Sequence, residues 1–414
     1  YQLSLHAVIP APRTILKGIR KCQPAFQMRV GTDGSLSESR YRSLQAHRPS
    51  VPMSAQEWND SIHDALMESV KRRLQIADVT VGVLLSGGLD SSLLGALLAE
   101  AGVGQIKTFS IGFEDQPEER GHEFEFSDAV AQMYNTEHHK FLIPNDQVWT
   151  RLPEAVRSMA EPRAGQDAVA FFLLSEQVSK SVKVVQSGQG ADEVFAGYFW
   201  YDRMQHAIGS SLQRFAPHYV DRDHSEFCDA VGTQYQGVDY TSALIEENLA
   251  TDAADTFMDA VLRFDVTTLI VDDPVKRVDN MTMAWGLEAR VPFLDHELVE
   301  LAMQVPPELK LKSGGKHLLK NISRGLIPDS VIDRPKGYFP MPALKYVRGD
   351  FLQFMADILN SEACRRRDVF NRVYVDKLLA EPDQYFTKLQ GSKLWHMALL
   401  ELWLQLNVDT VIAG

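Results

Sequence analysis

Val81-Gly82-Val83-Leu84-Leu85-Ser86-Gly87-Gly88-Leu89-Asp90-Ser91-Ser92-Leu93-Leu94-Gly95-Ala96-Leu97-Leu98 reads as an apolar strand, a glycine turn and the start of a helix. Two adjacent glycines let the backbone come close to a ligand. Free N–H groups, the helix dipole and three serine hydroxyls then favour an anion such as pyrophosphate. The G-x-x-x-x-G-K-[ST] spacing is absent, so this is not a Walker A loop. Asp90 would repel a phosphate unless a cation stood between them, and Mg2+ commonly bridges a carboxylate and phosphate oxygens, so Asp90 is assigned a metal role. The same residues would also serve an ordinary strand-to-helix junction, with Asp90 and Ser91 as helix caps.

Strand and helix signals alternate outward from this stretch: strand 81–85, helix 92–101, strand 106–111, helix 126–134 and strand 182–186. Alternation of this kind predicts βαβ units on a parallel sheet, an α/β fold with its chemistry beyond the strand ends after Leu85, Ile111 and Gln186. Residues 200–265 are mostly helical and carry no nameable motif. The apolar stretch 394–406 is interrupted by His396, Glu401 and Gln405, too short and polar to span a bilayer, and reads as a buried core helix. Ahead of the sheet, Ser54 and Glu57 form a capping box for a helix whose apolar face is Trp58, Ile62, Ala65, Leu66, Val70 and Leu74. The first fifty residues are rich in Pro, Ser and Arg, with turn chemistry at Thr32-Asp33-Gly34, and read as a linker carrying a hairpin.

With 414 residues, 45% of them hydrophobic, the chain can bury a large core. Its 55 acidic against 42 basic residues, net −13, disfavour extended nucleic-acid binding. Three cysteines without C-x-x-C spacing give neither a disulfide framework nor a zinc knuckle, and a reducing, cytoplasmic setting is expected. No membrane partner is expected.

The stretch Ser86-Gly87-Gly88-Leu89-Asp90-Ser91 resembles the S-G-G-x-D-S signature of the PP-loop ATP pyrophosphatases, which cleave ATP to AMP and pyrophosphate. Three further blocks resemble asparagine synthetases, in order. The first is Ser187-Gly188-Gln189-Gly190-Ala191-Asp192-Glu193-Val194-Phe195-Ala196-Gly197-Tyr198. The second is Val278-Asp279-Asn280-Met281-Thr282-Met283-Ala284 with Leu287-Glu288-Ala289-Arg290-Val291-Pro292-Phe293-Leu294-Asp295. The third is Gly315-Lys316 with Arg334-Pro335-Lys336-Gly337-Tyr338. The resemblance implies a PP-loop (adenine nucleotide alpha hydrolase-like) synthetase domain over 51–414 with a large helical C-terminal part. It further implies ATP contacts at Leu85, Ser86, Gly87, Gly88, Asp90, Ser91, Ser92, Ile111, Ser187 and Gly188. Asp90 and Asp192 would share Mg2+, while Lys316 and Lys336 would stand near the pyrophosphate or the reacting adenylate, where charge builds. Lys336, between Pro335 and Gly337, suits a closing loop, although surface solvation would also account for the two lysines. Glu288, Arg290 and Asp295 could form a buried ion-pair network supporting the site or the substrate.

Asparagine synthetases carry Glu at the position of Gln189, where the resemblance implies a base for the attacking ammonia. An amide cannot take that proton, so Gln189 is expected to hydrogen-bond substrate or ammonia. Residue 1 is Tyr rather than a catalytic cysteine. Yet His6-Ala7-Val8-Ile9-Pro10-Ala11-Pro12-Arg13-Thr14-Ile15-Leu16-Lys17-Gly18-Ile19 is similar to the end of the family's glutaminase domain, so residues 1–50 are expected to be a linker and the remnant of an absent N-terminal glutaminase. The expected reaction is adenylation of a small carboxylate by ATP, then attack by ammonia derived from glutamine. Leu269-Ile270-Val271-Asp272-Asp273-Pro274-Val275-Lys276-Arg277 and the Gln189 turn look most like amidotransferases that make N-acetylglutaminylglutamine amide. Aspartate is the alternative substrate, and a non-catalytic nucleotide-binding partner or a tRNA-modifying enzyme are the other readings. The resemblance is compatible with a homodimer, which the sequence itself does not specify.

Overall fold

A computed structural model describes residues 1–116, 120–163, 165, 167–335, 344 and 347–409. Strands β1 (Phe26–Val30) and β2 (Leu36–Arg40) make an antiparallel hairpin around the expected Thr32-Asp33-Gly34 turn. The remaining strands β3 (Val81–Leu84), β4 (Lys107–Phe113), β5 (Glu137–Ile143), β6 (Val184–Gln186) and β7 (Glu288–Arg290) form one sheet, in the order β5-β4-β3-β6-β7 with every pairing parallel. The predicted α/β class therefore holds. Two edge strands are not signalled by the sequence: β5 opens on the polar Glu137-His138-His139-Lys140 and is apolar only at Phe141-Leu142-Ile143, and β7 has just three residues.

The sheet divides two apolar cores because successive side chains of a strand point to opposite faces. Val83 joins one core with helix α1 (Ala55–Gln75), helix α2 (Leu89–Glu100) and the helices between residues 199 and 305. Leu84 joins the other, with Phe109, Phe113 and the helices Asp167–Val178 and Lys393–Leu404. The last of these is the expected core helix, and every residue from Leu394 to Trp403 is buried. Among the described residues no helix is long and apolar enough to cross a membrane. Gly82 is glycine because a Cβ there would lie 2.7 Å from the Phe109 ring.

Helix α1 begins as the sequence predicts. Glu57 N–H donates to Ser54 Oγ (3.2 Å) and Ser54 N–H to the Glu57 carboxylate (2.7 Å). Residues at the start of the chain do not behave as a free linker: Leu3 lies in one core, and Leu5 and Val8 in the other. Leu3, Leu5, Ala7, Val8 and Ile9 pack inward there, and linker character is confined to the exposed hairpin and its flanks.

The expected buried network of Glu288, Arg290 and Asp295 is differently built. Glu288 is exposed on the short edge strand, where its carboxylate accepts from Arg290 Nε (2.7 Å). Asp295 is the buried member, taking hydrogen bonds from Arg72 (3.0 Å), Arg73 (2.8 Å) and the Glu297 N–H (3.0 Å), which caps the helix His296–Gln304. Arg290 ties to α1 through the Arg73 carbonyl (2.6 Å). Burial pushes the Asp295 carboxyl up, but the bonds from Arg73 and the Glu297 amide leave it below its ordinary value. A depressed acid stabilises the fold above the unfolded-state pKa, and that contribution fades as pH falls through the folded value. Asp295→Asn is therefore expected to cost about 2 kcal/mol near neutral pH. Urea titrations should show the deficit closing once the pH drops below the ordinary carboxylate range.

Candidate active site

The chain runs outward from β3 to β4 and β5, then returns to the other side of β3 to lay down β6 and β7. Direction thus reverses between β3 and β6, and loops leaving the two strands on either side of such a reversal splay apart into a crevice. The two glycine turns sit there. Ser86–Ser92 follows β3, Ser187–Gly190 follows β6, and the Ser187 N–H is fixed by the Arg290 carbonyl of β7 (2.8 Å). Ile111 stands within β4 rather than after it, because that strand runs on to Phe113.

The first turn is shaped by contact. Gly87 has φ +74°, and a Cβ would press on the Ser127 amide at 2.7 Å. Gly88 is the N-cap of α2, with no side-chain hydrogen bond at the cap, so neither Asp90 nor Ser91 caps the helix. Ser91 Oγ is spent inside the turn, on the Ser86 N–H (3.2 Å), Ser86 Oγ (3.0 Å) and the Gly88 carbonyl (3.2 Å). Ser92 Oγ is buried with no hydrogen-bond partner among the described residues. The amides of the first helical turn have no intrahelical acceptor and open at the crevice, an anion site by construction.

Asp90 and Asp192 do meet, as expected, and Lys316 lies between them. Its Nζ is 2.6 Å from Asp90 Oδ2 and 2.8 Å from Asp192 Oδ1. Burial pushes the Lys316 ammonium down, but Asp192 and Asp90 hold it well above its ordinary value. Close packing enforces the arrangement. At Gly197 a Cβ would fall 2.2 Å from Asp192 Oδ1 and 2.3 Å from Lys316 Cε, and at Gly315 one would fall 2.3 Å from the Ala196 carbonyl. Lys316 itself is left-handed, φ 55°, a conformation an L residue adopts only when its surroundings compel it. Carboxylate oxygens are the donors a hard cation prefers, so Asp90 and Asp192 fit Mg2+ by type.

Two cavities adjoin this cluster and share Ser86, Gly88, Asp90, Ile111 and Asp192. The larger, about 490 Å³, is lined further by Lys316, Lys320 and Arg334. The smaller, about 200 Å³, is lined by Leu85, Ser110, Ser187, Gly188, Gln189, Asp167 and Phe171. Gln189 is half-buried on the wall of the smaller cavity. Lys336, with Gly337 and Tyr338, lies outside the described residues. Of the expected supporting residues, Arg290 and Asp295 stand behind the second turn and on α1, touching neither cavity.

Three wall residues carried no assignment from the sequence. Arg334 spans the cavity rim, 3.0 Å from Glu123 and 4.3 Å from the Phe126 ring centroid. Lys320 lies four residues after Lys316, and a second cation at helical spacing was the available signal. Asp167 pairs with Arg277 (3.0 Å), and burial raises its carboxyl despite that partner. Behind Asp192, Glu193 accepts from Tyr198 Oη (2.8 Å) and Asp265 from Tyr201 Oη. Burial, together with repulsion from Asp192, raises both carboxyls. This keeps further negative charge away from the cluster.

Residues 61–405 match the family described as Asparagine synthase. The chain belongs to the asparagine synthase family. It is similar to asparagine synthetase [glutamine-hydrolyzing] 1 of Bacillus subtilis, 27% identical over 97% of this chain and 67% of that protein. A putative asparagine synthetase [glutamine-hydrolyzing] of Mycobacterium bovis is 28% identical over 97% of this chain and 66% of its own length. The asparagine synthetase [glutamine-hydrolyzing] of Cricetulus griseus is 27% identical over 72% of this chain and 46% of its own. The chain therefore spans about two thirds of its bacterial relatives and under half of the mammalian one.

Lys316→Met leaves Asp90 and Asp192 without the ammonium between them and is expected to cost about 3 kcal/mol at neutral pH. Like charges brought together raise a carboxylate pKa, so the deficit should grow as pH rises through the carboxylate range and shrink below it. Mg2+ should recover part of the loss in the variant. Thermal unfolding followed against pH, with and without Mg2+, checks all three.

Proposed function

We propose that this asparagine synthase family chain catalyses ATP-dependent amidation through an acyl-adenylate. The observation that carries the reading is the Asp90–Lys316–Asp192 cluster at the point where the sheet reverses, between two connected cavities. A carboxylate oxygen of the substrate attacks the α-phosphorus of ATP and pyrophosphate leaves. Ammonia then attacks the acyl carbon, and AMP departs with the oxygen. The open amides of α2 hold phosphate, and Lys316, with Lys320 and Arg334 on the same wall, faces the charge that builds on the departing pyrophosphate. Asp90 and Asp192 would hold Mg2+, which neutralises phosphate charge when bound. Holding both reactants in one crevice removes much of the entropic barrier to their meeting.

Glutamine is proposed as the source of ammonia, as the names of the relatives say of those proteins. N-acetylglutaminylglutamine is the proposed carboxylate and aspartate the second reading. Gln189 favours the first. An uncharged amide that both donates and accepts matches an amide-rich dipeptide, where the family pattern has a carboxylate.

Pyrophosphate release should be measured with Mg-ATP and ammonium, with the dipeptide or aspartate as acceptor. Release with the dipeptide and not aspartate is the expected result, and Asp90→Asn should lower it by about 100-fold or more. Release with aspartate alone would overturn the substrate. ATP binding without turnover on either would favour a non-catalytic nucleotide-binding protein.

A further inference from the structure

Away from the crevice, three segments remote in sequence converge on one small polar point. His6 comes from the start of the chain, Asp221 follows the helix Ser211–Tyr219, and His396 lies in the first turn of the helix Lys393–Leu404. His6 Nδ1 is 3.3 Å and His396 Nδ1 is 3.6 Å from the same Asp221 Oδ2, and the three ligand-capable atoms all lie within 4.8 Å of one another. Asp221 is 1% exposed and His396 3%. Among the described residues, neither ring nitrogen of His396 has a hydrogen-bond partner, nor does Asp221 Oδ1. Buried polar atoms are normally satisfied, so His396 Nδ1, unpartnered yet facing Asp221 Oδ2 beside His6 Nδ1, calls for a missing partner at that point.

We propose that His6, Asp221 and His396 form a binding site for a divalent first-row transition metal of the zinc class. Two imidazoles and a carboxylate are the donors such ions take, and around a tetrahedral zinc with bonds near 2 Å the ligand atoms stand roughly 3.3 Å apart. Two of the three separations are close to that already. His6 Nε2 faces Asp273 Oδ2 at 3.9 Å, the outer carboxylate that typically orients a ligating imidazole. Asp273 in turn holds Arg277 (2.6 Å), and Arg277 holds Asp167 on the wall of the smaller cavity. His6 is held at φ 46°, an uncommon backbone state for a side chain of its size, and its ring is 15% exposed, which leaves a way in for the ion. A metal here would fasten the N-terminal segment to the C-terminal core helix whatever reaction the crevice performs.

The whole chain, stripped with chelator and dialysed, should be titrated with Zn2+ and separately with Co2+. A single equivalent is expected, with a visible Co2+ ligand-field band of low-symmetry coordination and a thermal midpoint raised by a few degrees in Zn2+ but not in Mg2+. His396→Gln should abolish the band, and His6→Gln should weaken Zn2+ binding at least ~tenfold. If the His396 variant does not fold, the His6 variant at its partly exposed position carries the same comparison. No band and no Zn2+-dependent midpoint would overturn the site. Equal binding by the variants would do so too, by placing the metal on exposed pairs such as His47 with Asp255.

Discussion

The ammonium of Lys316 between Asp90 and Asp192 is the interaction around which the crevice is organised. A charge withdrawn from water is tolerable only when paired, and here two carboxylates and one cation satisfy one another at 2.6 and 2.8 Å. Their residues follow β3, follow β6 and precede the helix His317–Ser323, so the trio forms only once the sheet has set those two strands side by side. Gly197 and Gly315 are the steric counterpart, since a side chain at either would occupy space the cluster needs. The left-handed backbone of Lys316 shows that packing, rather than local preference, fixes the lysine.

Burial on both faces of the sheet makes this placement rigid. Val83 and Leu84 are neighbours in sequence yet belong to different cores, so β3 cannot shift by a residue without sending each side chain into the wrong core. The support extends to α1 through Asp295, Arg72 and Arg73, and to the second glycine turn through the Arg290 carbonyl on Ser187. Residues that touch neither cavity thereby hold the walls that do.

Charge is also layered. Cations line the larger cavity at Lys316, Lys320 and Arg334, while buried acids lie behind it at Glu193 and Asp265, raised by burial and hydroxyl-bonded. Carboxyls raised in this way carry less negative charge than ordinary ones, so they repel phosphate at the front of the crevice less. The second polar point, at His6, Asp221 and His396, is separated from this front and linked to it through Asp273, Arg277 and Asp167.

By itself the sequence determined the strand, glycine turn and helix of residues 81–98, the capped helix at Ser54, the buried helix near the C-terminus and the identities of Asp90, Asp192 and Lys316. Each rests on local chemistry: a run of apolar residues, a turn glycine, a capping hydroxyl or a short motif. Tertiary structure alone decided that Lys316 stands between the two aspartates, that Glu288 faces solvent while Asp295 is buried, and that residues 3–9 pack into the cores. It alone supplied β5 and β7, whose polar or very short sequences become strands because a neighbouring strand offers unpaired backbone groups. Local pattern fixes which groups a segment carries, but which of them meet is set by strand order and by close packing, and neither is written in any one segment.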